Sequence, residues 1–180
     1  MRLFQGQYSS PLGELIAITS LNGLCLLTFQ EEQDFIQPFL SKLSQYYQNT
    51  SLSQNPSHSI LKQTTDWLQS YFLDLDNEAK IHPTPIPPLD LQGSDFSKQI
   101  WYRMLSIPKT ELRSYGWLAE QIQNPKAVRA VGRSVGANPI ALIVPCHRII
   151  GANGSLTGYR GGLWRKEWLL KHEKSFLKIR

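Results

Sequence analysis

Residues 114–136, SYGWLAEQIQNPKAVRAVGRSVG, decide how the chain is read. Ser114 precedes a short apolar-periodic run and supplies an N-cap, because its hydroxyl accepts a backbone N–H from the first turn. Asn124-Pro125 supplies a second cap, with proline at the first helical position. The stretch predicts two short helices joined by a tight turn, 115–122 and about 126–135, which is a helix-turn-helix pattern. The second helix mixes Lys126, Arg129 and Arg133 with Ala127, Ala130, Gly132, Ser134 and Gly136. A helix that thin, with arginine projecting, suits a nucleic-acid groove; tight packing against a neighbouring helix is the alternative. Gly132 and Gly136 each cost about 1 kcal/mol relative to alanine in a helix interior, which asks for a reason without naming one.

Downstream, Asn138-Pro139 leads into Ile140–Val144, an apolar run that predicts a buried strand or buried extended segment. It ends at Pro145-Cys146-His147-Arg148. On base rates a lone buried cysteine is a small hydrophobe. Here His147 and Arg148 favour the thiolate, the reactive form of the group. Neighbours on a strand point to opposite faces, so a turn or a bridging water is required for Cys146 and His147 to act together. Two glycine-rich runs follow, Gly151–Gly154 and Gly158–Gly162, and neither matches a phosphate-loop or dinucleotide pattern. A last helix is predicted over 162–173 with Leu163, Trp164, Leu169 and Leu170 inward. Two acids compete to anchor His147, Glu173 and Glu120.

Upstream, Phe96–Ile107 predicts a helix with Phe96, Ile100, Met104 and Leu105 on one face, ended by Pro108. Four prolines among residues 82–88 predict an extended linker over 82–93, dividing a first domain, 1–81, from a second, 94–180. The first domain predicts a meander of three strands, Leu3–Tyr8, Glu14–Thr19 and Leu24–Phe29, with Asn22-Gly23 as a hairpin signal. Helices follow at about 33–47 and 59–73, and in the second Ile60, Thr64, Trp67, Leu68 and Tyr71 share a stripe. The fold class is α+β.

The 180 residues carry a net charge of +5, distributed unevenly. Residues 1–96 hold four basic and ten acidic side chains, and residues 97–180 hold fifteen basic and four acidic. The basic half points to a polyanion, with nucleic acid the commonest partner and a solvated basic face the alternative. No apolar run approaches the roughly 20 residues that span a bilayer. Two cysteines, Cys25 and Cys146, are too few for a disulfide framework or an all-cysteine zinc site, so an intracellular, reducing location is expected.

Pro145-Cys146-His147-Arg148, preceded by Arg129-Ala130-Val131-Gly132 and Asn138-Pro139, resembles the O6-alkylguanine-DNA alkyltransferases, the methylated-DNA–protein-cysteine methyltransferases. Leu156–Leu163 and Lys166–Leu170 agree as well, and the strong matching covers about 96–173. The resemblance implies an RNase H-like first domain and a helical, winged-helix-like second domain that places its recognition helix in the minor groove. It implies Cys146 as alkyl acceptor, His147 as its base through a bound water, Glu173 orienting His147, and Tyr115 donating a proton toward the flipped base. Arg129 would fill the gap in the stack, beside DNA-facing Ala127, Ala130, Gly132 and Ser134. Asn138 would brace the helix-turn-helix. Tyr159 and the Arg160 backbone would form part of the alkyl wall, with Arg148, Ile149 and Lys166 around the pocket. The partner would be double-stranded DNA containing O6-alkylguanine, with O4-methylthymine a second substrate, after base flipping. The protein would act once, as a monomer, without cofactor or metal, in the cytoplasm (or the nucleus of a eukaryote).

The chain departs from the family pattern at Lys109–Leu112, where glycine and threonine are frequent, at Ala141, where some relatives have proline, and at Arg160, where others have serine. A non-catalytic sensor of alkylated bases is the alternative function, and a cysteine hydrolase built on Cys146 and His147 is a weaker third.

Overall fold

The structure is a computed structural model that describes residues 2–47, 51–55, 57–73 and 84–175. The described residues up to Gln92 form one compact unit and those from Gly93 onward a second. The boundary expected at 81/82 lies outside the described residues.

In the first unit β1 (Arg2–Ser10), β2 (Gly13–Thr19) and β3 (Leu24–Phe29) form the expected antiparallel meander, with Phe4 opposite Thr19 and Leu15 opposite Phe29. β2 and β3 read as nearly continuous apolar runs because both faces of the sheet are covered. One face, with Leu3, Ile16, Ile18 and Leu26, packs on Ile36, Phe39 and Leu43 of α1 (Gln33–Tyr46). Gly6 is on the opposite face, where a Cβ would lie 3.4 Å from Leu61 of α2 (Ser59–Leu73). All five stripe residues of α2 are buried. A fourth strand, β4 (Ser51–Gln54), pairs in parallel with β1 at the sheet edge. Its residues are all exposed and one of four is apolar, so no periodicity announced it.

Of the proline-rich stretch, residues 84–92 are described. They run beside β3, where Leu24 N–H donates to Pro88 O at 2.7 Å and Asp90 N–H to Leu24 O at 2.9 Å. Gly23 permits this approach, since a Cβ there would fall 2.6–2.8 Å from Pro88–Asp90 backbone atoms. The Asp90 carboxylate accepts hydrogen bonds from Ser20, Tyr47 and Gln92.

The second unit opens with α3 (Asp95–Leu105), capped by Ser94, whose Oγ accepts from Ser97 N–H. Ile100, Trp101 and Met104 are its buried residues. A two-residue strand, β5 (Arg113–Ser114), leads into α4 (Tyr115–Gln121), where Ser114 is the cap expected of it and accepts from Trp117 N–H at 3.0 Å. The turn uses Gln123 at φ 55°. Asn124 makes no side-chain cap; Pro125–Ala127 form a 3₁₀ turn that runs into α5 (Val128–Gly136).

The cap expected of Asn124 is therefore absent, and on α3 Phe96 and Leu105 of the expected face are only half-buried while Trp101 is buried with Ile100 and Met104. Two further expectations differ. Ile140–Val144 is buried but is neither strand nor extended: Val144 N–H closes back on Ile140 O, Ile143 N–H on Ala141 O, and Leu142 takes φ 68°. A short apolar run does not reveal its own conformation. The last helix, α6 (Leu163–His172), buries Leu169 and Leu170, but Leu163 and Trp164 are exposed. Arg165 and Lys166 are buried in their place, because backbone carbonyls inside the unit receive their charged ends. Among the described residues no helix is long and apolar enough to cross a membrane.

Candidate active site

Cys146 opens a single 3₁₀ turn, Cys146–Arg148, set between the buried turns of 140–144 and β6 (Ile149–Ile150). Pro145 initiates that turn, and Arg148 N–H closes it on Pro145 O at 3.0 Å. The turn, not a strand, is what lets consecutive residues serve one site. Cys146 is partly exposed, whereas His147 is fully buried.

Asn138 holds the thiol from one side. Its amide group donates to Val144 O at 2.8 Å, Ile140 O at 3.3 Å and Cys146 Sγ at 3.2 Å, while its Oδ1 accepts from Ile140 N–H at 3.0 Å. One buried side chain thus shapes the 140–146 segment and presents an N–H to the sulfur.

On the other side His147 Nε2 lies 3.0 Å from Glu173 Oε1, with both side chains wholly buried. Glu173 is the C-cap of α6, and Glu120 sits exposed on α4, which decides between the two candidate acids. Arg148 completes the cluster: Nε donates to Glu173 Oε2 at 2.9 Å, Nη2 to Oε1 at 2.7 Å, and Nη1 to Ile107 O at 2.6 Å. This fork-on-carboxylate pairing is the strong form of an ion pair. Burial alone would raise the Glu173 carboxyl, but His147 and the Arg148 guanidinium outweigh it and hold the acid well below the usual carboxylate range. Burial lowers the His147 imidazole against the opposing pull of Glu173, with Arg148 and Lys166 adding to the lowering. His147 is therefore neutral near pH 7, with Nε2–H donated to Glu173. Its Nδ1 is buried and has no hydrogen-bond partner among the described residues. The residues alone gave Arg148 as positive potential near the thiol, and the resemblance set it around the pocket; nothing in its spacing announced the bond to an acid 25 residues away.

Ile149 is buried, and its carbonyl accepts from Lys166 Nζ at 2.5 Å; the same ammonium reaches Thr157 O at 2.8 Å. Burial pushes the Lys166 ammonium down to about 8, against the opposing charge of Cys146. Arg160, from the Gly158–Gly162 run, donates to Gly136 O at 2.9 Å and Asn138 O at 3.0 Å. Tyr159, half-buried, accepts at its carbonyl the Gly162 N–H that closes this turn.

Tyr115 enters from the helix-turn-helix. Ser114 pairs with Ile150 in the β5–β6 ladder, so Tyr115 starts α4 beside the strand that leaves the Cys146 turn. A methyl on Gly132 would meet the Tyr115 ring at 3.9 Å, which sets the ring against α5. Along α5, Val128, Arg129, Arg133 and Gly136 are exposed and Ala130 and Gly132 half-exposed; Ala127 is half-exposed in the preceding turn. Ser134 faces the other way. It is buried, its hydroxyl 3.1 Å from Ser97 and its carbonyl bonded to Trp101 Nε1. Its small size serves packing against α3, not the open face. Among the described residues no group of His, Cys, Asp or Glu is arranged to hold a metal ion.

A partly exposed thiol backed by a buried histidine, carboxylate and arginine, on a unit with a basic helix-turn-helix, defines a DNA-binding protein with a cysteine-centred chemical site. Comparisons with known proteins agree. Residues 3–85 match the family described as 6-O-methylguanine DNA methyltransferase, ribonuclease-like domain, and residues 95–175 its DNA binding domain. The methylated-DNA–protein-cysteine methyltransferase of Mycobacterium tuberculosis is 46% identical over 136 residues, 76% of this chain and 79% of that protein. The protein of the same name from Shigella flexneri is 34% identical over 177 residues, 96% of each chain. The crystal structure of M. tuberculosis OGT in complex with DNA superposes with a TM-score of 0.73 at 36% identity, covering 98% of this chain and 94% of that one. The chain belongs to the methylated-DNA–protein-cysteine methyltransferase family.

Proposed function

We propose that this protein repairs DNA by moving the alkyl group of O6-alkylguanine onto Cys146, once per molecule. The observation that carries the reading is the partly exposed Cys146 sulfur, with an Asn138 N–H on it and a neutral His147 held behind it by Glu173 and Arg148. The His147 imidazole takes the thiol proton at Nδ1, through a bound water, while Glu173 fixes the tautomer by accepting Nε2–H. The developing thiolate is stabilised by the Asn138 N–H and the nearby Lys166 ammonium. Sulfur attacks the alkyl carbon in line. The S–C bond forms as the C–O6 bond breaks, and the electron pair stays on guanine O6. The Tyr115 hydroxyl gives a proton toward the base ring as that charge develops. The thioether product has no hydrolytic exit, so the site is spent. The same displacement removes the methyl group of O4-methylthymine.

A stacked base cannot present this carbon, so the nucleotide is flipped out of the duplex. The open face of α5 is placed in the minor groove, where Ala127, Ala130 and Gly132 allow close approach and Arg129 fills the vacated stack. Tyr159 and the Arg160 backbone form the alkyl wall. The protein works as a monomer in the cytoplasm. The test uses a duplex with labelled O6-methylguanine in tenfold excess: one label bound per protein, and no more with time, is expected. Continued release of label would refute single use.

A further inference from the structure

α5 ends in a buried exchange of hydrogen-bond partners. Inside an α-helix the Ser134 carbonyl would accept from the N–H four residues on, that of Asn138. It accepts instead from Trp101 Nε1–H of α3, at 2.8 Å, and Asn138 N–H turns to Val135 O at 3.3 Å. The carbonyl before it, Arg133 O, keeps its helical bond, from Ala137 N–H at 2.9 Å. The indole thus occupies the carbonyl whose ordinary donor would hold residue 138 in the helix. Pro139 disfavours helix at Asn138 from the other side but brings no donor to Ser134 O. A second tie joins the same two helices, Ser97 Oγ to Ser134 Oγ at 3.1 Å. The far edge of the buried indole is seated on Gly93, where a Cβ would fall 2.6 Å from Cη2 and 2.7 Å from Cζ3. Asn138 leaves the helix with its side chain engaged: Oδ1 accepts from Ile140 N–H, and the amide group reaches Val144 O and Cys146 Sγ.

We propose that Trp101 is a positioning residue for transfer: its indole N–H ends α5 at Gly136 and so frees Asn138 to set its amide on the Cys146 sulfur. Its bearing on the reaction rests on alkyl transfer to Cys146; its bearing on the thiol does not. Without the indole N–H, the buried Ser134 carbonyl lacks a donor, which is costly, and Asn138 N–H is the donor within reach along the helix. Taking it draws residue 138 back into the last turn and its amide away from the sulfur.

The test is Trp101→Phe, which keeps an aromatic ring and removes the N–H. The pH midpoint for alkylation of Cys146 by iodoacetamide, read by peptide mapping, reports how well the thiolate is stabilised. It is expected to rise by at least about 0.5 pH units, because a hydrogen bond to a charged group is lost. The single-turnover rate on free O6-methylguanine near pH 7 is expected to fall at least about threefold. In an Asn138→Ser background, which lacks the amide, Trp101→Phe should move the midpoint by less than about 0.2 pH units. A purely structural role would lower the thermal midpoint of Trp101→Phe and leave the pH midpoint in place. A pH midpoint within about 0.2 units of the wild type overturns the proposal whatever the thermal midpoint, and so does an equal rise in the Asn138→Ser background. If Asn138→Ser does not fold, Trp101→Phe alone decides. A wild-type protein that takes alkyl from neither free base nor duplex, with the rise in pH midpoint present, withdraws the transfer reading and leaves the link from Trp101 to Cys146 standing.

Discussion

Glu173→Gln is the most informative single change. The carboxylate accepts three hydrogen bonds, from His147 Nε2, Arg148 Nε and Arg148 Nη2, in a wholly buried position. Glutamine offers one oxygen and turns an NH2 toward a donor, so at least one bond is lost. The Arg148 guanidinium, with a side chain only 12% exposed, also loses its counter-charge. Removing one partner of a buried pair costs about 3–5 kcal/mol, because the other charge stays in low dielectric. For a chain of this size that lowers Tm by about 6–20 °C. Urea denaturation at pH 7.5 reads it. Arg148→Met should cost a similar amount, and the double variant about 1–3 kcal/mol less than the two singles summed, because no charge is then stranded. The Glu173 carboxyl is lowered in the folded chain, so its stabilisation is complete above the unfolded value of about 4.3 and is lost as pH falls below it. The difference from Glu173→Gln should be level between pH 6 and 8 and shrink below about 4.3. Single-variant losses under about 0.5 kcal/mol, or full additivity in the double, would refute a stabilising His147–Glu173–Arg148 cluster.

The proposed base role requires neutral His147, whose imidazole is lowered by burial, so the acid limb of the rate profile should fall below about 6.5; a half-maximal rate above that value contradicts that role. Lys166 is lowered to about 8 when folded against about 10.4 when unfolded, so the unfolded chain binds more protons between these values and stability rises with pH across that window. Relative to Lys166→Met the rise should reach up to about 3 kcal/mol by urea midpoints, and a flat difference would refute the buried ammonium. Arg129→Ala should slow repair of a paired duplex far more than reaction with free O6-methylguanine, whereas Tyr115→Phe should slow both; rates for both variants on both substrates separate the roles, and equal slowing by Arg129→Ala withdraws its place in the stack.

Regular periodicity carried most of the fold. The meander and α1 form where their spacing announced, α2 buries its whole stripe, α3 buries Ile100 and Met104 of its announced face but Trp101 in place of Phe96 and Leu105, and Ser114 caps α4 through the hydrogen bond its position implied. Failure came where tertiary partners override local pattern. β4 is polar and exists because β1 offers an edge. Residues 140–144 turn because Asn138 collects their carbonyls. Arg165 and Lys166 are buried on α6 because loop carbonyls meet them, and hydropathy cannot foresee a satisfied cation. In the site, Cys146 and His147 were legible as neighbours with complementary chemistry. Glu173 was one of two choices on pattern and is settled by position. Arg148 as its second partner, and the Arg160 bonds to Gly136 and Asn138, join residues distant in sequence, and no spacing rule connects them.

The central claim is that Cys146 is the acceptor. Intact-protein mass, followed by peptide mapping, after incubation with a duplex containing O6-methylguanine tests it most directly. The account predicts a gain of about 14 Da, one methyl in place of one hydrogen, on the peptide carrying Cys146. The buried Cys25, its thiol pushed up to about 11 chiefly by burial, should stay unmodified, and Cys146→Ala should bind the duplex without gaining mass. An unchanged mass for the wild type with the duplex tightly bound, or a methyl group on Cys25, would contradict it.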